Sequence, residues 1–413
     1  MHALAEDVHR LALESENELP ILLPVPRNGV TVVPQYIQDL SDQELDTVDR
    51  LISLLPGTDT SENVRRDRMV ASLVQRFATS SSLNGGGKVV VVMNDADFAL
   101  TDRRYEGIGG YAPHAKVLVL KTGKHASTVA HELIHSIPFS WADAGMQAEC
   151  GFSYHNSNDN NYGNGVRLYG YFAYRQQGVN AVMGPVSGFP HITQCSYWHL
   201  LKLLQGAVDP PLYLVRGFVA RRQGQEYGVL APTYELDDVG GLAPGPLEPD
   251  GWGIVLRDTA GQVLATFPFE VTWRDADAGE DRSLVAFNHR IDRVAGTATI
   301  ELVGPGGRKD MQTVSANAPA IEISSPAQGS VVTPANGRVR VEWRATDADG
   351  DDLSYLVFYS PDGGRSWRPL DDEREESSFD LDIAGQPAAP RVRVIATDGV
   401  RSTTSEVGFT LAR

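Results

Sequence analysis

Thr128-Val129-Ala130-His131-Glu132-Leu133-Ile134-His135 sets two imidazoles four residues apart, with a carboxylate beside the first. In a helix of 3.6 residues per turn, positions i and i+4 share a face, so both rings can approach one metal ion while Glu132 approaches a water bound to it. The flanks suit a helix entered from a strand. Val117-Leu118-Val119-Leu120 reads as the strand, Ser127 or Thr128 as the cap, and Val129, Leu133, Ile134 and Ile137 as the apolar face. A buried amphipathic helix whose histidines only find hydrogen bonds would share the periodicity; the complete spacing together with these flanks favours the metal.

Outward from this stretch, the first 208 residues mix helical and extended patterns. Ser41-Asp42-Gln43-Glu44 is a capping box opening a helix through Leu51 to Leu55, stopped by Pro56-Gly57. A second helical stretch runs from Glu62 to about Ala78, and Asn84-Gly85-Gly86-Gly87 turns the chain into a strand at Val89 to Met93. An Asn- and Gly-rich loop spans Asn156 to Gly165, and a last helix, capped by Thr193, runs through Trp198 to Leu204. From about 210 the helical period is lost. Short apolar runs at Leu212–Val215, Gly253–Leu256, Phe267–Val271 and Ala298–Leu302 alternate with Gly, Pro and Asp clusters, the spacing of a β-sandwich. Asn317-Ala318-Pro319 marks a boundary, followed by a second all-β set at Ile321–Ile323, Val339–Trp343, Tyr355–Tyr359 and Val392–Ala396. With Trp343 on an early strand, this last zone resembles an immunoglobulin-like or fibronectin type III-like sandwich, of the kind appended to secreted bacterial enzymes.

The net charge of −17 argues against a nucleic acid or an acidic membrane surface as partner. No apolar run reaches the ~18 residues needed to span a bilayer. Met1 to Glu18 carries scattered charges rather than the basic-then-apolar layout of a secretion signal. Two cysteines, Cys150 and Cys195, flank the region after the metal motif and form either one disulfide, the favoured reading, or two buried thiols.

A catalytic zinc takes three protein ligands and keeps a fourth position for water, so two histidines are an incomplete site. Asp143, Glu149 and His155 follow within reach. His155 would complete an all-imidazole set and Glu149 a His₂Glu set, both common around Zn²⁺. The motif His131-Glu132-Leu133-Ile134-His135, an insertion, a later His155 and Ala181-Val182-Met183-Gly184-Pro185 resemble the leishmanolysin-like variation on the metzincin branch of the zincin metallopeptidases. The short metzincin pattern is absent, since Pro138 and Trp141 stand where its glycine and third histidine would be. The resemblance covers roughly residues 88 to 205. It implies a methionine turn at Met183 and favours His155 as third ligand over the runner-up Glu149. It also implies a substrate-binding edge strand at Gly109, Gly110 and Tyr111, whose glycines would allow close approach of a substrate backbone. Tyr154, Asn156, Tyr162 and Tyr197 are further polar groups near the motif in sequence.

The expected architecture is an α+β zincin-like catalytic domain over residues 1–208, then two all-β sandwich domains over 209–317 and 318–413. The expected function is that of a secreted zinc endopeptidase acting on protein or peptide, with Glu132 as general base and the sandwiches binding a surface or polymer. The alternative is a surface adhesion protein whose zincin-like domain is inactive; the intact Glu132 favours the enzyme. Asp347, Asp349 and Asp351 offer oxygen ligands at alternate positions, as a Ca²⁺ loop would, although a solvated turn between strands has the same composition.

Overall fold

The structure is a computed structural model that describes residues 2–22, 32, 62–83, 88–101, 110–114, 116–135, 165–169, 172–176, 192–193, 212–236, 244–271, 273, 282–361, 363–364, 367–382 and 390–412. Over these residues the chain is mostly β, arranged in several sheets with a few helices. It divides into two compact units. One comprises Met1–Gln38, Lys88–Ala207 and Arg274–Asp281; the other comprises Asp39–Gly87, Val208–Trp273 and Arg282–Arg413. The helix over Glu62–Leu83 falls within the second of these units.

In the first unit, strands β1 (Val89–Met93), β2 (Gly110–His114) and β3 (Val117–Lys121) form a sheet in the order β1-β3-β2. β1 runs parallel to β3 and β2 antiparallel to it. The central strand is buried from Val117 through Leu120, which is why it reads as an unbroken apolar run rather than an alternating one. Helix α1 (His2–Leu22) packs against α4 (Ala126–His135), which in turn lies on β2 and β3. A further described helix of this unit, α3 (Asp95–Thr101), is capped by Asn94, whose Oδ1 accepts the Asp97 amide at 2.9 Å. A second small sheet, β4 (Gly165–Tyr169), β5 (Phe172–Gln176) and β6 (Ile192–Thr193), has the order β5-β4-β6.

The second unit contains four larger sheets and helix α2 (Glu62–Leu83). Strands β7 (Leu212–Arg222), β8 (Gln225–Leu236) and β11 (Leu284–Asp292) make one sheet, and β9 (Trp252–Arg257), β10 (Val263–Phe269), β12 (Thr299–Gly304) and β13 (Gly307–Thr313) the next. Their shared core is built from Tyr213, Val215, Trp252, Ile254, Phe267, Phe287 and Leu302, an arrangement compatible with a β-sandwich.

Further along, β14 (Ala320–Ser325), β16 (Arg338–Thr346) and β19 (Ser378–Asp382) face β17 (Ser354–Ser360), β18 (Arg368–Arg374), β20 (Arg391–Thr397) and β21 (Ser402–Gly408) across a second core around Trp343, Tyr355, Val357 and Val394. A short pair, β15 (Val331–Val332) with β22 (Thr410–Leu411), closes one end. β16 alternates buried and exposed from Arg338 to Arg344, as a strand with one wet face must. β7 and β17 bury both faces instead: Leu212 and Leu214 of β7 meet Leu356 and Phe358 of β17 and Ile395 of β20 in a further cluster outside both of these cores. The sequence predicts one strand over Phe267–Val271; β10 ends at Phe269.

The helix expected from Ser41 to Leu55, the turn at Asn84–Gly87, most of the Asn-rich loop after Asn156, the helix through Trp198–Leu204 and both cysteines lie outside the described residues. Thr193, expected to cap that last helix, sits in β6. No described helix is long and apolar enough to cross a membrane.

Candidate metal centre

The backbone from Ala126 to His135 is a continuous α-helix, so His131 and His135 occupy positions four apart on one face of α4. Ala126, Val129, Ala130 and Leu133 are buried, and His131 is half-buried. The His135 side chain lies outside what the structure describes. Glu132 is buried, and its carboxylate lies against β2: a Cβ added to Gly110 would stand 3.3 Å from Glu132 Oε1, 3.1 Å from Leu120 Cγ and 2.8 Å from the Val119 carbonyl. Glycine at position 110 thus leaves the space that the carboxylate occupies, a relation invisible in sequence because the register of β2 on β3 creates it.

β2 is one of the two outer strands of the described three-stranded sheet, the antiparallel one. Gly110 pairs with Leu120 and Tyr111 with Val119; the register then shifts before His114. Pro113 falls in that irregular stretch, where a residue without an amide hydrogen costs no ladder bond. Tyr111 is buried and meets the Phe98 ring edge-on at 5.6 Å between centroids. Gly109, Asp143, Glu149, His155 and Met183, together with Tyr154, Asn156, Tyr162 and Tyr197, lie outside the described residues.

The entry to α4 differs from expectation. The sequence predicts Ser127 or Thr128 as the cap, but both lie inside the first turn; the His125 carbonyl accepts the amides of Thr128 at 2.9 Å and Val129 at 3.4 Å, making His125 the residue at the cap. The first turn of α4 carries no acidic residue. Charged partners come from α1: Asp7 Oδ2 accepts the Gly123 amide at 2.6 Å, Arg10 Nη2 donates to the Lys124 carbonyl at 2.8 Å, and Glu14 Oε2 lies 3.3 Å from His125 Nδ1. Arg10 also joins the two acids, at 2.5 Å to Asp7 and 2.7 Å to Glu14. Partial burial works to raise both carboxyl pKa values, yet hydrogen bonds from Arg10 and Gly123 to Asp7, and from Arg10 and His125 to Glu14, hold both below their ordinary values.

In the β-rich unit, one carboxylate oxygen from each of Asp347, Asp349 and Asp351 lies within 4.8 Å of the others. Asp347 Oδ1 accepts the amides of Asp349 at 2.8 Å and Asp351 at 3.2 Å, while Asp349 holds Asn317 through its backbone amide at 2.7 Å and its side-chain amide at 2.8 Å. Burial, then repulsion from Asp347, Asp398, Asp349 and Asp352, pushes the Asp351 carboxyl up; the bonds from Asn317 pull Asp349 down. These oxygens could hold a divalent cation, and their hydrogen bonds also make an ordinary Asx-type turn. Ca²⁺ there stays an expectation of the sequence.

No protein family matches this chain, and no curated protein matches it either. Among solved structures, the endo-beta-1,4-mannanase from Thermotoga petrophila is similar at 12% identity, with 24% of this chain and 21% of that chain covered and a TM-score of 0.19. The chicken CNTN1 FN1-FN3 domains are 13% identical, over 42% of this chain and 66% of that one, with a TM-score of 0.20. The BSP domain of a biofilm associated protein is 12% identical, over 49% of this chain and 29% of that one, with a TM-score of 0.14. The chain thus spans about a fifth of the mannanase structure. Likenesses at these TM-scores carry no argument about function.

Proposed function

We propose that this chain is a secreted zinc-dependent endopeptidase of zincin type, with accessory β-sandwiches of immunoglobulin or fibronectin type III kind. The observation that carries the reading is the placement of Glu132: it stands on a helix between positions 131 and 135, with its carboxylate against Gly110 of an antiparallel outer strand. The donor set fits the ion, since imidazole nitrogens suit borderline-soft Zn²⁺. His131 and His135 would hold it, with His155 as the third ligand and Glu149 as the runner-up.

When bound, Zn²⁺ supplies Lewis acidity that lowers the pKa of a water from ~15.7 to about 7. Glu132 takes a proton from the attacking water and delivers it to the leaving amine, work that a carboxylate buried against backbone is well placed to do because its competition with bulk solvent is reduced. The outer edge of β2 would pair with an extended substrate through main-chain hydrogen bonds at Gly110 and Tyr111. Both sandwiches would then serve binding to a surface or polymer.

The test is Glu132→Gln. It should keep one zinc per chain, measured by metal analysis, and lower the chelator-sensitive hydrolysis of casein by at least about 10³-fold; retained hydrolysis rejects Glu132 as the base. In the parent chain, one zinc together with chelator-sensitive cleavage favours the enzyme over the adhesion reading, and zinc without cleavage leaves both open.

A further inference from the structure

Helix α4 opens without two usual supports: its cap residue is His125 rather than Ser, Thr, Asp or Asn, and its own first turn has no acid. Three side chains of α1 stand in for them. Asp7, Arg10 and Glu14, spaced i, i+3 and i+7, lie along one stripe of α1 and bond the consecutive residues Gly123, Lys124 and His125 of the connection from β3 into α4. Leu11, Ala12, Ser15 and Leu19, also on α1, are buried, so the helix that carries the stripe is itself anchored.

We infer that Asp7, Arg10 and Glu14 are positioning residues for the metal helix, a clamp that sets where α4 begins and thereby where His131 and Glu132 stand. Each member has a separate task. Asp7 satisfies the Gly123 amide, Arg10 ties the Lys124 carbonyl to both acids, and Glu14 brings negative charge beside the cap residue, where the N-terminal end of the helix dipole favours it. The consequence for the metal is geometric. A change in the first turn of a ten-residue helix is carried into its second turn, which bears His131 and Glu132. α1 is accordingly part of the working enzyme, so cutting it away should lower activity rather than release it. This inference rests on the endopeptidase reading for its link to zinc, but the clamp itself does not.

The experiment uses the full chain with Arg10→Ala, Asp7→Asn and Arg10→Lys, and reads three quantities. These are the zinc dissociation constant by chelator competition, the visible absorption of the cobalt-loaded protein, and hydrogen exchange at the amides of Thr128 and Val129. Arg10→Ala should weaken zinc binding about 10-fold, at the low end of what losing support around metal ligands costs, with a changed cobalt spectrum and faster exchange at both amides. Arg10→Lys, which keeps the charge, should recover part of the loss. If Arg10→Ala does not fold, Asp7→Asn carries the same three measurements; it removes the charge and turns one of the two oxygens that accept from Gly123 and Arg10 into a donor. Parental zinc affinity, cobalt spectrum and exchange in a folded variant would overturn the clamp. If the parent itself takes up no zinc, the endopeptidase reading fails, while faster exchange at Thr128 and Val129 in Arg10→Ala would still support the clamp.

Discussion

His289 on β11 illustrates how much a single residue's setting can differ from its type. Its ring packs 4.6 Å from the Phe269 ring and 5.9 Å from the Phe287 ring, and burial pushes its pKa down from 6.5 to about 4. In the fold it stays neutral where the unfolded chain would take a proton. Stability that is fully present above pH 6.5 should therefore be lost as pH falls from 6.5 toward 4, by up to about 3 kcal/mol. Urea unfolding at several pH values checks this: His289→Phe should flatten the slope in that window, and an unchanged slope would show that another group causes it. Glu132 is the opposite case. Its place beside His131 on a helix is legible in the sequence, whereas Gly110, whose added Cβ would stand 3.3 Å from its Oε1, reads there only as a strand glycine open to a substrate backbone. Periodicity puts His131 and His135 on one face; nothing periodic connects 110 with 132.

At the scale of elements, α2 shows what amphipathic reading leaves out. Its helical character over Glu62 to about Ala78 is legible, and the helix continues to Leu83. Every residue from 71 to 82 is buried, including Ser72, Gln75, Arg76, Thr79 and Ser80 to Ser82, so its environment is closed all round although its composition is half polar. The polar groups are answered by strands far away in sequence. Gln75 Nε2 donates to the carbonyls of Gly217 at 2.9 Å and Phe287 at 3.3 Å, and Arg76 Nη2 to the Pro369 carbonyl at 3.0 Å. Arg216, fully buried on β7, reaches Gln75 and Thr79 on the helix and pairs with Glu373 on β18. Gln75→Ala removes its bonds to the Gly217 and Phe287 carbonyls and to Arg216, which keeps Thr79 and Glu373, and should cost about 2–3 kcal/mol in denaturant unfolding. A cost within about 0.5 kcal/mol, the usual range for an exposed site, would mean water replaces the amide without loss.

For the whole molecule, the path of the chain matters more than the sequence zones suggest. The first unit takes residues 1–38 and 88–207, and the stretch between them belongs to the β-rich unit. Without α2, a fragment of residues 209–413 loses the bonds from Asp67 to Ser283, from Thr79 to Asn288 and Arg216, and from Gln75 to β7 and β11. We expect that fragment to melt roughly 10 °C below the same fragment supplied with residues 62–83 as a separate peptide. Equal melting temperatures in scanning calorimetry would show the helix to be dispensable to the sandwiches.

The sequence by itself determined the elements whose signals are local: the helix bearing His131 and Glu132, the strands at 89–93 and 117–121, the shift to strand periodicity after 210, and the burial of Trp343 on a strand. Spacing and side-chain type suffice there, because 3.6-fold and two-fold periods describe one segment at a time. Only the tertiary structure decided that α1 supplies the charges missing from the start of α4, that Gly110 faces Glu132, and that β7 and β17 bury both faces. Those outcomes depend on which surfaces meet after the chain has closed loops of tens to hundreds of residues. The free energy of that meeting is shared among contacts that no single window of sequence contains.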